Sequence, residues 1–505
     1  MARVIFISNP YENLGIEYMS AVLESAGHEV GLIIDPCLFF NAYQRNNLLG
    51  KIFNYKTYVL GKIIKMQPDL VCLSVMTDNY QWALDLAKKI KEKINTWIVF
   101  GGIHPTILPE LVINESCVDF VCVGEGEEAL VELADNIHDP DKLLHIKNIF
   151  AKREGQIFKN TIRPLIKELD KLPFPCKELY YRESRMYSKE YFIITSRGCN
   201  YSCAFCCNQV LLNLYGKSFS RRRTVRNVIK ELYDNKKKYN FRFVWFMDDN
   251  FVLNSEWIKE FSREYSRYIG VPFFCYSHPN NLSGETAELL KKANCREMGI
   301  GVESLNENTC KLINRITEKS LIDRSLKILK NNKIVSIAEN ILGLPGEKEK
   351  DILDLVGFYN KNRPDLILFS WLKVFPGTEM LRILKARGLI SQTALQNLIS
   401  GKDNSLALGG NYASVSEFRR SACLLVLLPF LNKKVVSFLA KVNIFKCPVI
   451  VNPNFILRII RAYKSSFFSV MFMGNKTYDA GLKISLRIYK HYIIKKFRLV
   501  LNLGE

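Results

Sequence analysis

The stretch SRGCNYSCAFCCNQ (196–209) places four cysteines within nine positions. Cys199, Cys203 and Cys206 are spaced C-x3-C-x2-C, and Cys207, adjacent to Cys206, is expected to point elsewhere. Zinc normally takes four tetrahedral ligands, and no histidine stands near enough in sequence to complete a set. A four-iron cluster also usually takes four thiolates. With three, one iron stays open and can bind a substrate or cosubstrate. The pattern therefore points to a cluster that does chemistry rather than one that only carries electrons. The residues around it are polar and loop-like, which argues against three core cysteines that happen to lie together.

Such a loop has to be held by regular structure. From about 186 the chain alternates short apolar runs with helical stretches. Strands are expected at 191–196, 242–247, 272–277, 297–302, 335–342 and 367–373, with helices at 224–238, 255–267, 285–293, 320–331 and 349–361. Six βα units predict a partial or full parallel barrel, whose chemistry lies at the carboxyl ends of its strands. The cysteine loop follows the first of them. An earlier alternating series covers residues 1–140, with strands at 3–8, 29–34, 70–75, 97–102 and 119–124 and helices at 14–26, at 80–93 and from Glu127. That pattern predicts a doubly wound parallel sheet, with ligands bound at its strand ends. A hairpin turning near Glu154-Gly155 follows, then LDKLPFP (169–175), in which Pro173 and Pro175 predict a stiff extended linker. Beyond 400 the alternation stops, and a mostly helical segment is expected. The division is thus 1–140, 141–185, 186–400 and 401–505, an α/β chain with a helical C-terminal part.

C-x3-C-x2-C after the first strand of a βα barrel resembles the radical S-adenosylmethionine (SAM) superfamily. The resemblance implies that Cys199, Cys203 and Cys206 hold a [4Fe–4S] cluster whose open iron binds SAM. Phe205 matches the aromatic position beside the adenine. FMDDNF (246–251, with Asp248), GIGVES (299–304, with Glu303 and Ser304) and NILGLPGE (340–347, with Gly343 and Pro345) resemble the strand-end segments that contact SAM, and FPGTEM (375–380) follows the sixth strand. Each is weak alone; together, in order and at strand ends, they carry the likeness over about 186–385.

The front sheet has its own likeness. NPYENLG (9–15), GGIHPT (101–106) and VGEGEE (123–128) resemble the cobalamin-binding domain of cobalamin-dependent radical SAM enzymes, and LDKLPFP resembles their linker. The cobalamin contacts this implies are Asn9, Ser74, Thr77, Gly101, Gly102, His104, Gly124, Glu125 and Gly126. Small residues at strand ends suit the close approach of a large flat ligand. A G-x-G-x-x-G dinucleotide fingerprint is absent after the first strand. Some cobalamin domains carry Asp-x-His-x-x-Gly; here His28 precedes Gly31, but Ala26 stands where Asp is required. Cobalamin without a protein histidine on cobalt is therefore expected, with Ser74–Thr77 below the ring and His104 supporting its loop.

The resemblance implies methylation of an unactivated carbon, with a flavodoxin- or ferredoxin-like one-electron reductant. Cyclisation or rearrangement without methyl transfer is the alternative. A methylthiotransferase acting on tRNA and a basic nucleic-acid-binding module with a structural metal are rivals from other classes. The net charge is +21, and residues 401–505 carry 17 Lys+Arg against 4 Asp+Glu. That favours anionic partners. Basic residues interleaved with Phe, Ile and Leu near the C-terminus suit helices lying on a membrane surface, and hence a lipid-like or tetrapyrrole substrate; a solvated helical cap is the plain alternative. No run approaches the roughly 20 apolar residues of a membrane span. No charged-then-apolar leader precedes MARVIFISNP, so free thiols in a reducing cytoplasm are expected, with peripheral contact at the inner face of the membrane.

Overall fold

A computed structural model of the 505-residue chain describes residues 1–38, 50, 52–184, 187–216, 220–402, 421–422, 424–425, 427–442 and 490–492. Its first sheet comprises β1 Arg3–Ser8, β2 Glu29–Ile34, β3 Leu70–Ser74, β4 Trp97–Gly101, β5 Phe120–Cys122, β6 Ile149–Arg153 and β7 Gln156–Lys159. They lie in the order β2-β1-β3-β4-β5-β6-β7. The first five run parallel and the last two add an antiparallel hairpin. Glu154 and Gly155, with φ of 50° and 81°, form the hairpin turn at the expected place. The order reverses at β1 and β3, and at such a switch point the loops diverge and leave a crevice. Helix Leu14–Ser25 is capped by Asn13 Oδ1, which accepts from the Ile16 amide. It buries Ile16, Tyr18 and Leu23. Helix Lys56–Met66 was not foreseen; its apolar residues fall on too few turns to stand out, and Val59 and Ile63 alone are buried.

The second sheet begins at β8 Glu190–Ile193. A two-stranded antiparallel ribbon, β9 Ser196–Arg197 with β10 Arg221–Arg222, brackets the cysteine loop. Then come β11 Phe243–Phe246, β12 Phe273–Ser277, β13 Cys295–Glu303, β14 Val335–Leu342 and β15 Leu366–Trp371. The six main strands are parallel and lie in sequence order from β8 to β15. β8 and β15 are its two outer strands, so the sheet is the partial barrel rather than a closed one. Alternate residues face opposite ways. One face packs Phe246, Cys275, Met298 and Ile300 against Val228, Leu232, Phe261 and Leu326 of the helices. The other carries Phe243, Phe274 and Ile337, with Trp245, Tyr276 and Leu368 half-buried around them. Each large side chain buried this way contributes about 1.5–3 kcal/mol.

The linker differs in part from its expected form. Leu169–Lys171 is a turn of 3-10 helix, and the extended path starts only afterwards; proline forbids helix at itself and the residue before, not three positions upstream. The helical segment expected at 401–505 lies mostly outside the described residues. Helix Lys433–Val442 is described, and Asn360 Nδ2 donates to its Lys433 carbonyl and Ser437 hydroxyl, both at 3.1 Å.

Lys177, just past the linker prolines, joins the two sheets. Its buried Nζ donates to Glu12 Oε1, Glu17 Oε2 and the Phe192 carbonyl, each at 2.7 Å. Burial pushes the Glu17 carboxyl well up, against the pull of Lys177. Burial opposes the charge on Lys177 too, yet the two carboxylates hold it protonated above the usual lysine range. Lys177→Met leaves two buried carboxyls without a cation, and breaking a buried pair costs about 3–5 kcal/mol. Urea unfolding is expected to show that loss. The triple change Lys177→Met, Glu12→Gln, Glu17→Gln recovers most of it.

Candidate functional site

The carboxyl ends of the two sheets face one cavity of about 420 Å³. The front sheet supplies Ser74, Gly101, Gly102, Gly124, Glu125 and Gly126 to its wall; the barrel side supplies Ser196, Arg197, Asn208, Tyr215, Arg221 and Asp249. Six of the nine expected cobalamin residues therefore converge. Gly102 adopts φ 99°, and a Cβ there would meet the Val75 backbone at 2.8 Å. Gly124, at φ 80°, leaves room for the Tyr215 ring, whose hydroxyl would lie 1.7 Å from a Cβ.

The other three do not reach the cavity. Asn9 Oδ1 accepts from the Tyr11 amide in a local turn. His104 Nδ1 lies 3.1 Å from Thr77 Oγ1, and both side chains are fully buried beneath the loop. Burial lowers the His104 pKa to about 4, so the ring is neutral. It packs on Tyr80 with centroids 4.3 Å apart, the loop-supporting part expected of it. His28 is also structural: its Nδ1 accepts from the Ala2 amide, and its Nε2 lies 3.1 Å from Asp135.

The cysteine loop is clamped from both sides. The Ala204 amide donates to the Ile313 carbonyl, and its own carbonyl accepts from the Met380 amide, each at 2.8 Å. Phe205 packs into the apolar cluster of Ile313, Ile341 and Leu344. Cys203 is buried, and Cys199 and Cys206 are partly exposed. Arg315 Nη1 donates to Cys203 Sγ at 3.6 Å, and Nη2 lies 3.8 Å from Glu303 Oε1. Burial works against the Arg315 charge, but Glu303 and Cys203 keep it firmly protonated.

The strand-end residues divide in their roles. Asp248 turns inward, accepting from the Thr195 amide and from the Thr195 and Ser196 hydroxyls. The neighbouring Asp249 lines the cavity instead, and burial raises its carboxyl above the ordinary value. The two adjacent aspartates lie in the loop after β11, and its path, held by the bonds of Asp248 to Thr195 and Ser196, decides between them; sequence likeness did not. Glu303 adopts φ 64°, an uncommon conformation for a residue with a side chain, at the end of β13. Ser304 is buried, and its Oγ accepts from the Asn306 amide. Gly343, at φ 81°, and Pro345 form a turn organised by Glu347, whose Oε2 accepts from the Gly343 and Leu344 amides. Burial raises Glu347 to about 7 despite those two bonds. Asp249, Arg315, Glu347, Arg197 and Arg221 are cavity or loop residues that sequence reasoning did not single out; Asp249 and Glu347 lie inside the FMDDNF and NILGLPGE segments, and Arg197 stands in SRGC, two places before a cysteine.

Two family models match the chain: the B12 binding domain over 3–134 and the radical SAM superfamily over 193–359. An uncharacterized methyltransferase of Pyrococcus horikoshii is 30% identical over 341 residues, covering 66% of this chain and 72% of the relative. The chain belongs to the cobalamin-dependent radical SAM enzymes. Its cofactors are those of the family: cobalamin, SAM and a [4Fe–4S] cluster. The bacteriochlorophyllide d C-12(1)-methyltransferase of Chlorobaculum tepidum is 28% identical, covering 63% of this chain and 66% of the relative. The anaerobic magnesium-protoporphyrin IX monomethyl ester cyclase of Rubrivivax gelatinosus is 23% identical, covering 76% and 70%. The radical SAM methyltransferase TsrM of Kitasatospora setae superposes with a TM-score of 0.61 at 19% identity, covering 77% of this chain and 75% of that one, which shows a shared fold.

The residues present suit the family's groups. Among the described residues, no three His, Cys, Asp or Glu side chains converge on one ion. A cubane needs none to: it takes each thiolate on a different iron, farther apart than the ligands of a single ion. Burial pushes the Cys199 thiol up and the Cys206 thiol to about 12, so they are poor free nucleophiles and gain thiolate character by binding metal. The glycine-walled cavity at the front sheet's switch point suits a corrin in the same way. At Gly102 the backbone geometry alone is testable. Gly102→Ala is expected to cost about 1–3 kcal/mol in thermal unfolding. Gly61→Ala, in helix Lys56–Met66 with nothing within 4 Å of the new Cβ, is expected to gain up to about 1 kcal/mol.

Proposed function

We propose that this enzyme methylates an unactivated carbon of a lipophilic small molecule, with a tetrapyrrole as the favoured class. When bound, the cluster and SAM supply a carbon radical and cobalamin supplies the methyl group. The observation that carries the reading is the shared cavity: front-sheet glycines and residues flanking the cysteine loop line one space. We assign Cys199, Cys203 and Cys206 as the cluster ligands. Arg315 holds positive charge beside Cys203 and ties it to Glu303 and to the Gly301 carbonyl. Asp249, Glu303 and the Gly343–Glu347 turn form the SAM side, and Ser74, Gly101, Gly102, Gly124 and Gly126 the corrin side. On the barrel's inner face Phe243 and Phe274 are buried, and the half-buried Trp245 and Tyr276 beside them are the rings a flat apolar substrate would stack on. The tetrapyrrole class rests on the printed substrates of the relatives from Chlorobaculum and Rubrivivax.

Anaerobic reconstitution with iron, sulfide, hydroxocobalamin, SAM and a strong reductant tests the reading. One cluster per chain, one bound cobalamin and formation of 5′-deoxyadenosine are expected. Cys199→Ala, Cys203→Ala and Cys206→Ala are each expected to lose the iron, and Cys207→Ala to keep it. With a turned-over tetrapyrrole, S-adenosylhomocysteine alongside deoxyadenosine marks methyl transfer. Deoxyadenosine alone marks the cyclisation reading that the Rubrivivax relative represents. Two clusters per chain would indicate the methylthiotransferase rival.

A membrane contact belongs to the same proposal. Helix Lys433–Val442 exposes Val435 and Phe438 between Lys433, Lys434 and Lys441. No acidic residue lies between 421 and 442. No helix among the described residues is long and apolar enough to cross a membrane. The enzyme is expected to float with anionic phosphatidylglycerol vesicles at low salt and to be released at high salt. Phe438→Glu is expected to abolish flotation.

A further inference from the structure

Glu125 was expected to contact cobalamin, and its surroundings give it other work. It follows β5 in the front sheet, and all its strong partners lie outside that sheet. Oε1 accepts from Arg197 Nη1 and Arg221 Nη2, each at 2.9 Å. Oε2 accepts from Arg221 Nη1 and the Ile166 amide, each at 3.0 Å. The Glu125 amide donates to the Tyr215 hydroxyl at 3.0 Å. Arg197 Nη2 also reaches Glu127 at 2.7 Å, and its guanidinium lies 5.2 Å from the centre of the Tyr18 ring. Burial alone would raise the Glu125 carboxyl, but Arg221 and Arg197 hold it below the ordinary value.

The ribbon that carries the arginines needs this carboxylate. Arg197 and Arg221 are directly opposed in the β9–β10 pairing, so their side chains leave the ribbon on the same face. Their side chains are 18% and 8% exposed, too little for water to screen two like charges. Two arginines beside two carboxylates, Glu125 and Glu127, make a neutral set. Arg197 stands two residues before Cys199. The front sheet thus supplies the counter-ion for the ribbon that brackets the cysteine loop.

We infer that Glu125 is a positioning residue: with Arg197 and Arg221 it forms a latch that fixes the cysteine loop against the cobalamin-facing end of the front sheet. The inference rests on the proposed cofactor sites only for its spectroscopic test.

Hydrogen exchange on the full chain without cofactors tests the latch itself. Glu125→Gln is expected to speed exchange at 196–199 and 221–223 about tenfold or more. The swap Glu125→Arg with Arg221→Glu, which restores the charge set, is expected to bring it back to within about threefold of wild type. In reconstituted enzyme, Glu125→Gln is expected to leave cobalamin affinity within about threefold. It weakens, at least twofold, the relaxation of the cob(II)alamin spin by the reduced cluster, which depends steeply on their separation. Unchanged exchange in Glu125→Gln overturns the latch. So does a tenfold loss of cobalamin affinity with the spin relaxation unchanged, which would make Glu125 a corrin contact. If Glu125→Gln does not fold, the swap decides: a folded, wild-type-like swap supports the latch and an unfolded one overturns it. Wild-type protein that binds neither cofactor overturns the proposed function and leaves the exchange result to judge the latch.

Discussion

The structure depends on a buried charge between its two sheets. A parallel sheet puts its loops, and hence its binding groups, at one edge. Two such sheets make one site only if those edges are held face to face. Lys177 does this from the linker, reaching Glu12 and Glu17 on the front side and the Phe192 carbonyl on β8. Solvent-exposed ion pairs would be too weak for the task, at about 0–1 kcal/mol each. A lysine with three acceptors out of water is directional, and any other docking of the sheets leaves one of the charges bare.

The same economy governs the basic character of the chain. Three consecutive arginines, 221–223, look in sequence like a patch for phosphates. In the fold they turn to three different tasks. Arg221 pairs with Glu125, Arg222 caps the Asn250 and Phe251 carbonyls and covers the Trp257 ring, and Arg223 pairs with Glu231 and reaches the Tyr18 hydroxyl. Part of the net positive charge thus joins elements together rather than facing a partner. That weakens the case for nucleic acid drawn from composition alone, while on helix Lys433–Val442 lysines and the exposed Val435 and Phe438 coincide without an acidic residue among them.

Fold was more legible in the sequence than the site. Strands such as Arg3–Ser8 and Val335–Leu342 are short apolar runs between helical stripes, and local pattern reveals them. The cysteine spacing and the glycines of the front sheet are likewise local. What stayed hidden depends on distant parts of the chain. Whether Asp248 or Asp249 faces the cavity is settled in the loop after β11, where Asp248 is held by Thr195, 53 positions upstream. That Glu125 meets an arginine depends on a residue 96 positions away. Thr77, after β3, and His104, after β4, sit in the right segments, but they pair with each other, and a hydrogen bond between two separate segments leaves no trace in sequence.

This contrast bears on how the site is divided. The corrin side is built mostly from backbone, Gly101, Gly102, Gly124 and Gly126, and at Gly102, Gly124 and Gly126 an added Cβ would crowd its neighbours. The cysteine side is built from side chains held by distant backbone: Ala204 between Ile313 and Met380, Cys203 beside Arg315. A backbone surface is indifferent to which hydrogen-bonding groups surround it and tolerates a large, flat occupant. A thiolate loop has to be held against the mutual repulsion of its own ligands, so it takes fixed partners from β13, from the segment after helix Glu307–Leu312 and from the start of helix Glu379–Ala386. The two halves are rigid for different reasons, and it is at their seam, where Glu125 meets Arg197, that a side chain from one half sets the position of the other.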